Sequence, residues 1–168
     1  MKPLKENEVS LNQEAYEDVF QPVTQWLTFL LGEQKYAVKV LQVQEVLRYT
    51  PITPVPGAPF EVVGIVNLRG NVVTVVDVRM KFGMPAQEVT DLTRIMIMDV
   101  QGYIIGCMVD SVTEVIDLND SEVESPPDVS NSGNSVFIQG IANIENELHI
   151  LVNLDKLLTE EELELLVK

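Results

Sequence analysis

From Trp26 onward the apolar residues fall in short runs: WLTFLLG, KYAVKV, VVGIVNL, NVVTVVDV, TRIMIMDV, YIIGCMV, VFIQGIANI and ELHILVNL. Their length and their Val and Ile content predict β-strands, and their regular spacing predicts a barrel or a sandwich. Gly32, Gly70, Gly102 and Asn146 stand where the chain must reverse. Few helices are expected. One or two turns fit Leu41 to Leu47, another fits Pro59 to Val63, and Thr159 to Val167 reads as a terminal helix with Thr159 as N-cap and Glu160 to Glu162 in the first turn.

The segments between these runs have their own character. Residues 1–24 carry scattered charge without periodicity and read as a flexible acidic leader. Four prolines lie between Thr50 and Phe60, which predicts a stiff crossover ahead of a polyproline ligand. Asp117 to Ser135 holds five carboxylates, two prolines and no basic residue, and is expected to be a long exposed loop.

The chain also resembles itself. A shift of 76 places Gly64 to Val78 over Gly140 to Leu154, aligning Gly64 with Gly140, Ile65 with Ile141, Asn67 with Asn143 and Val76 with Val152. A shift of 69 places Val43, Glu45 and Val46 over Val112, Glu114 and Val115, and Ala37 over Gly106. Two copies of about 60 residues predict two similar small barrels. Either alone is marginal at that size, so a shared apolar seam is expected. The copies diverge at Arg69, which faces Glu145, and at Gly70, which faces Asn146.

Composition narrows the chemistry. A formal charge of -15 repels phosphate backbones and anionic lipid, so neither nucleic-acid binding nor a polybasic anchor is expected. No run approaches the ~18 apolar residues of a membrane span. Cys107 is the single cysteine, which excludes an intrachain disulfide and a cysteine-rich zinc site, and it reads as a buried inert thiol. His149, the single histidine, takes the place of Val73 in the other copy and reads as structural. Asp77 matches Asn153, which suits a turn or a cap better than acid catalysis. Asp99 and Asp110 each close a strand at a turn. No phosphate loop, dinucleotide fingerprint, nucleophile elbow or metalloprotease motif is present. No enzyme activity, cofactor or metal is expected. Glu45 and Arg69 remain, either as two solvated charges or as a partly shielded pair near the seam that shapes a partner-binding edge.

The segments VQEVLRY (43–49), GIVNLRGNVVTVVDVRMKFG (64–83), IIGCMVDSVTEV (104–115) and ILVNLDKLL (150–158) resemble the CheW-like family of bacterial chemotaxis coupling proteins, over about residues 25 to 166. N-L-R-G followed by a β run ending in D-x-R is the most specific part. The resemblance implies a mainly β fold of two five-stranded SH3-like barrels with short connecting helices. It frames 25–168 as one CheW-like domain, with subdomains at about 25–92 and 93–158 and a helix at 159–167. It implies a non-catalytic adaptor joining the cytoplasmic tips of chemoreceptors to the regulatory domain of a CheA-type histidine kinase. The same signature would serve a non-flagellar chemosensory pathway. By carry-over, Val43, Glu45, Gly64, Arg69, Gly106 and Gly140 line or support the receptor-facing region, while kinase contacts are assigned only to the barrel ends. The expected location is the cytoplasm, with recruitment to membrane-associated arrays. Thr74 departs from the proline often found there, and restores a backbone donor.

Overall fold

A computed structural model describes residues 22–86, 88–126 and 137–167. All eight predicted runs form strands: β1 (Val23–Leu31), β2 (Gln34–Lys39), β4 (Val62–Leu68), β5 (Asn71–Asp77), β6 (Arg94–Val100), β7 (Tyr103–Val109), β9 (Ile138–Ile144) and β10 (Glu147–Val152). Two further strands, β3 (Val43–Arg48) and β8 (Ser111–Asn119), lie outside the predicted runs, β3 where helical turns were expected and the end of β8 where the acidic loop was expected. Where a helical turn was expected over Leu41 to Leu47, a 3-10 turn at Val40–Gln42 leads straight into β3. The apolar spacing of Leu41, Val43, Val46 and Leu47 imitates a helix because Leu41 and Val46 are exposed apolar residues while the half-buried place between Val43 and Leu47 holds Glu45. No helix forms at Pro59 to Val63 either, since Val62 already begins β4.

The acidic loop is also shorter than expected. β8 runs to Asn119, a 3-10 turn covers Asp120–Glu122, and Glu124 bridges Ile141; residues 127–136 lie outside the described residues. Most of the leader lies outside them as well, and β1 begins at Val23, within the expected 1–24. The proline segment is an irregular crossover held to β4 by a bridge from Thr53 to Ile65. The terminal helix Glu160–Val167 has the expected cap, with the Thr159 hydroxyl accepting from the Glu162 N–H at 3.1 Å.

Two five-stranded sheets result, ordered β8-β1-β2-β10-β9 (barrel I) and β3-β6-β7-β5-β4 (barrel II). The division at about residue 92 does not describe them. Barrel I takes β1 and β2 from the first copy and three strands from the second, and barrel II takes β6 and β7 from the second copy and three strands from the first. Matched strands have changed places. The exchange satisfies the same pairing pattern in both sheets, because β1 and β6 are equivalent by the shift of 69.

Burial explains the continuous apolar runs. Along β1, Trp26 points into barrel I with Ala37, Leu118, Ala142 and Leu151, while Leu27, Phe29 and Leu31 point into the seam. Along β6, Ile95 and Ile97 fill barrel II, and Met96, Met98 and Val100 meet the seam. A strand buried on both faces loses its polar alternation. Phe137 and Phe82 stack at 4.4 Å in this seam, and Leu163 of the terminal helix is fully buried there. The shared seam inferred from the small size of each copy is therefore the main core of the molecule.

Candidate functional site on barrel II

The N-L-R-G segment builds the β4–β5 hairpin. Leu68 pairs with Asn71, so Arg69 and Gly70 alone make the turn, with φ of 52° and 85°. Two left-handed residues give the turn whose twist matches the flanking strands. The Asn67 side chain accepts the Gly70 N–H at 2.9 Å and fixes it. Asp99 does the same for Gly102 in the β6–β7 hairpin, also at 2.9 Å, which is the turn role expected of it.

The Arg69 guanidinium meets both carboxylate oxygens of Glu45 on β3, at 2.7 and 2.9 Å. The pair is bidentate, and the hydrogen bond to Glu45 holds the Arg69 pKa above its ordinary value. It is unequally shielded: the arginine side chain is 74% exposed and the glutamate 26%. Such a pair adds little to stability, because solvent screens it. What it does is present a fixed planar cation at the mouth of barrel II.

Of the other carried-over positions, Gly64 and Gly106 share a rung with Glu45. Reading across barrel II, Glu45 pairs with Ile97, Ile97 with Gly106, Gly106 with Val75, and Val75 with Gly64. Gly140 is apart from them, on the equivalent rung of barrel I, opposite Leu151. All three glycines are buried. A Cβ at Gly64 would lie 2.2 Å from the Thr53 carbonyl oxygen, and one at Gly140 would lie 2.5 Å from Val123 Cγ1 and 3.0 Å from the Glu124 oxygen. These glycines let each crossover pack against its barrel, and they offer no side chain to a partner. Val43 is half-buried and packs on the seam. Glu45 and Arg69 are the members of the set that form a surface feature.

Barrel I carries the inverse charge at the matched place. Glu145 and Asn146 form its turn with φ of 51° and 67°, and the mate of Glu45 is Glu114. The cation there is Lys35, bonded to Glu147 at 2.6 Å; that hydrogen bond raises the Lys35 pKa, with smaller contributions from Glu114 and Glu145. The sequence reading missed exposed apolar residues next to Glu45 and past the turn, Val46 and Val72 on barrel II, and their mates Val115 and Leu148 on barrel I. Their recurrence in both copies was the signal available, Val46 with Val115 by the shift of 69 and Val72 with Leu148 by the shift of 76.

The remaining chemistry-bearing groups have structural surroundings. Burial pushes the Cys107 thiol up to about 12. His149 is 2% exposed, with Nδ1 at 3.2 Å from the Glu147 oxygen. Asp77 accepts from the N–H groups of Arg79 and Met80 and Asn153 from that of Asp155, so the matched pair are both caps. No cluster of three or more His, Cys, Asp and Glu that could hold a metal ion occurs among the described residues. No helix among them is long and apolar enough to cross a membrane.

Comparison with known proteins agrees with the resemblance read from the sequence. The family profile of the CheW-like domain matches residues 25–162. The chain is 34% identical over 138 residues to the chemotaxis protein CheW of Rhizobium meliloti, covering 82% of this chain and 89% of that one. It is 33% identical over 135 residues to the chemotaxis protein CheW of Bacillus subtilis, covering 80% and 86%. The crystal structure of the scaffolding protein TtCheW from Thermoanaerobacter tengcongensis superposes with a TM-score of 0.75 at 32% identity, covering 81% of this chain and 92% of that one. With a family profile spanning most of its length and a solved relative of the same two-barrel architecture, this chain belongs to the CheW-like domain family.

Proposed function

We propose that this chain is a non-catalytic adaptor that couples chemoreceptor tips to a CheA-type histidine kinase. The observation that carries this reading is the bidentate Glu45–Arg69 pair, held in the open by a tight turn and a strand. A bidentate, exposed guanidinium with the exposed apolar Val72 three residues on suits a protein interface better than a reaction centre. Receptor contact is assigned to this mouth of barrel II. The kinase's regulatory domain is assigned to the barrel ends, with the exposed Val115 and Leu148 of barrel I as the apolar residues available to it. In this reading the protein works in the cytoplasm and reaches the membrane through the receptors it binds.

Affinity capture from the native cytoplasm tests the proposal. Recovery of a histidine kinase together with receptor cytoplasmic tails is the expected result. Recovery of neither, from cells that express both, would contradict it.

A further inference from the structure

Arg79 closes the D-x-R segment, yet it lies outside the rung and turn assigned to receptors. It stands in the helical turn Val78–Lys81 that continues β5 of barrel II. Its Nη1 lies 2.6 Å from Asp110 Oδ2, and its Nε donates to the Pro85 oxygen at 2.9 Å. Asp110 is the joint between β7 of barrel II and β8 of barrel I. The same Oδ2 accepts the Gly32 N–H of the β1–β2 turn at 2.6 Å, and the Asp110 N–H donates to Leu30. The side chains of Arg79 and Asp110 are 13% and 21% exposed, so this ion pair is far better shielded than that of Arg69.

One carboxylate therefore ties barrel II to barrel I. The matched place on the other side holds a weaker tie: Gln101 Nε2 donates to the Asp155 oxygen at 2.6 Å, and Gln42 Nε2 to Asp155 Oδ1 at 3.2 Å. Asp155 is the mate of Arg79 by the shift of 76. Apolar contact across the seam is strong but has no preferred direction, whereas charge-assisted hydrogen bonds hold only over a narrow range of distance and angle.

We propose that Arg79 and Asp110 form an orientation latch that sets the angle between the two barrels, and so the spacing of the two ends presented to partners. Arg79 is a positioning residue in this account. The second half of the proposal rests on the adaptor reading; the first half does not.

Pulsed electron–electron distance measurement on the full chain tests it without any partner. Labels at Val72→Cys and Leu148→Cys report one hairpin from each barrel, and buried Cys107 does not compete for the reagent. The parent should give one narrow distance. Arg79→Met should shift or broaden it while the circular-dichroism spectrum is kept, and Arg79→Lys should partly restore it. Asp110→Asn keeps an acceptor for Gly32 but drops the ion pair, and it decides the matter if Arg79→Met does not fold. An unchanged narrow distance in the folded variants would overturn the latch. For the second half, unlabelled Arg79→Met should bind each partner singly as the parent does but lose the three-way complex. A retained three-way complex in spite of a broadened distance would overturn that half alone.

Discussion

Arg69 and Glu145 occupy the same position in two matched hairpin turns, with φ of 52° and 51°, yet Arg69 faces an opposite charge at Glu45 while Glu145 shares its mouth with a like charge, Glu114. One fold thus presents a guanidinium at one hairpin turn and a carboxylate at the matched turn. The backbone strain of a non-glycine residue in the left-handed region is carried at both turns.

The exposed guanidinium predicts a separation of binding from folding. Arg69→Glu should place like charges at 45 and 69 and weaken receptor coupling strongly, with little change in melting temperature or circular dichroism, because the pair is screened by solvent. Normal receptor coupling by this variant would remove Arg69 from the interface.

Gly64 predicts the reverse. Its φ of 154° and the 2.2 Å approach to the Thr53 oxygen leave no room for a methyl group. Gly64→Ala should cost about 2 kcal/mol of stability by displacing the crossover. Coupling should fall in step with the folded fraction, as read by denaturant unfolding beside binding. Full stability with lost binding would make Gly64 a contact residue instead.

Asp77 predicts a dependence on pH. Burial raises its pKa, with the N–H groups of Met80 and Arg79 and the Arg79 charge only partly opposing it. The folded value then lies above the unfolded one, so proton binding favours the fold, and that contribution is lost as pH rises through the folded value. At neutral pH the buried carboxylate is a cost. Asp77→Asn, which copies Asn153, should keep the cap and melt at the same or higher temperature at pH 7, with the difference shrinking in acid. Asp77→Ala should lose the cap and about 1 kcal/mol. A lower melting temperature for Asp77→Asn at pH 7 would show that the charge is needed.

The exchange of strands predicts how the chain can be cut. A break between the copies, near residue 87, leaves each fragment with strands of both barrels and a complete sheet of neither. Each fragment alone should be unfolded or aggregated, and the two mixed should regain the β signal. Two independently folded halves, each melting cooperatively, would contradict the topology.

Which parts of this were readable in the sequence follows from what pattern encodes. Central strands such as β6 show as unbroken apolar runs because both faces are buried. β3 and β8 were hidden because each is bulged and half-exposed and residue type does not follow burial: β3 alternates, but with Glu45 half-buried and Val46 exposed, and β8 leaves Val115 exposed. The repeat revealed two equivalent barrels but not their strand exchange, since β1 and β6 match in apolar character at most positions, Thr28 against Ile97 and Leu30 against Asp99 excepted. Glu45 and Arg69 could be paired from residue type and copy divergence. The rung joining Glu45 to Gly106 and Gly64 is a matter of register, and the Arg79–Asp110 contact spans 31 residues, beyond the reach of local pattern.

An adaptor of the kind proposed would make kinase output depend on its presence beside the receptors. Kinase autophosphorylation, measured with receptor-containing membranes, purified kinase and this chain, tests it most directly. Stimulation that needs all three components, and is lost with Arg69→Glu, is the predicted result. Kinase output that is the same with and without this chain would contradict the account.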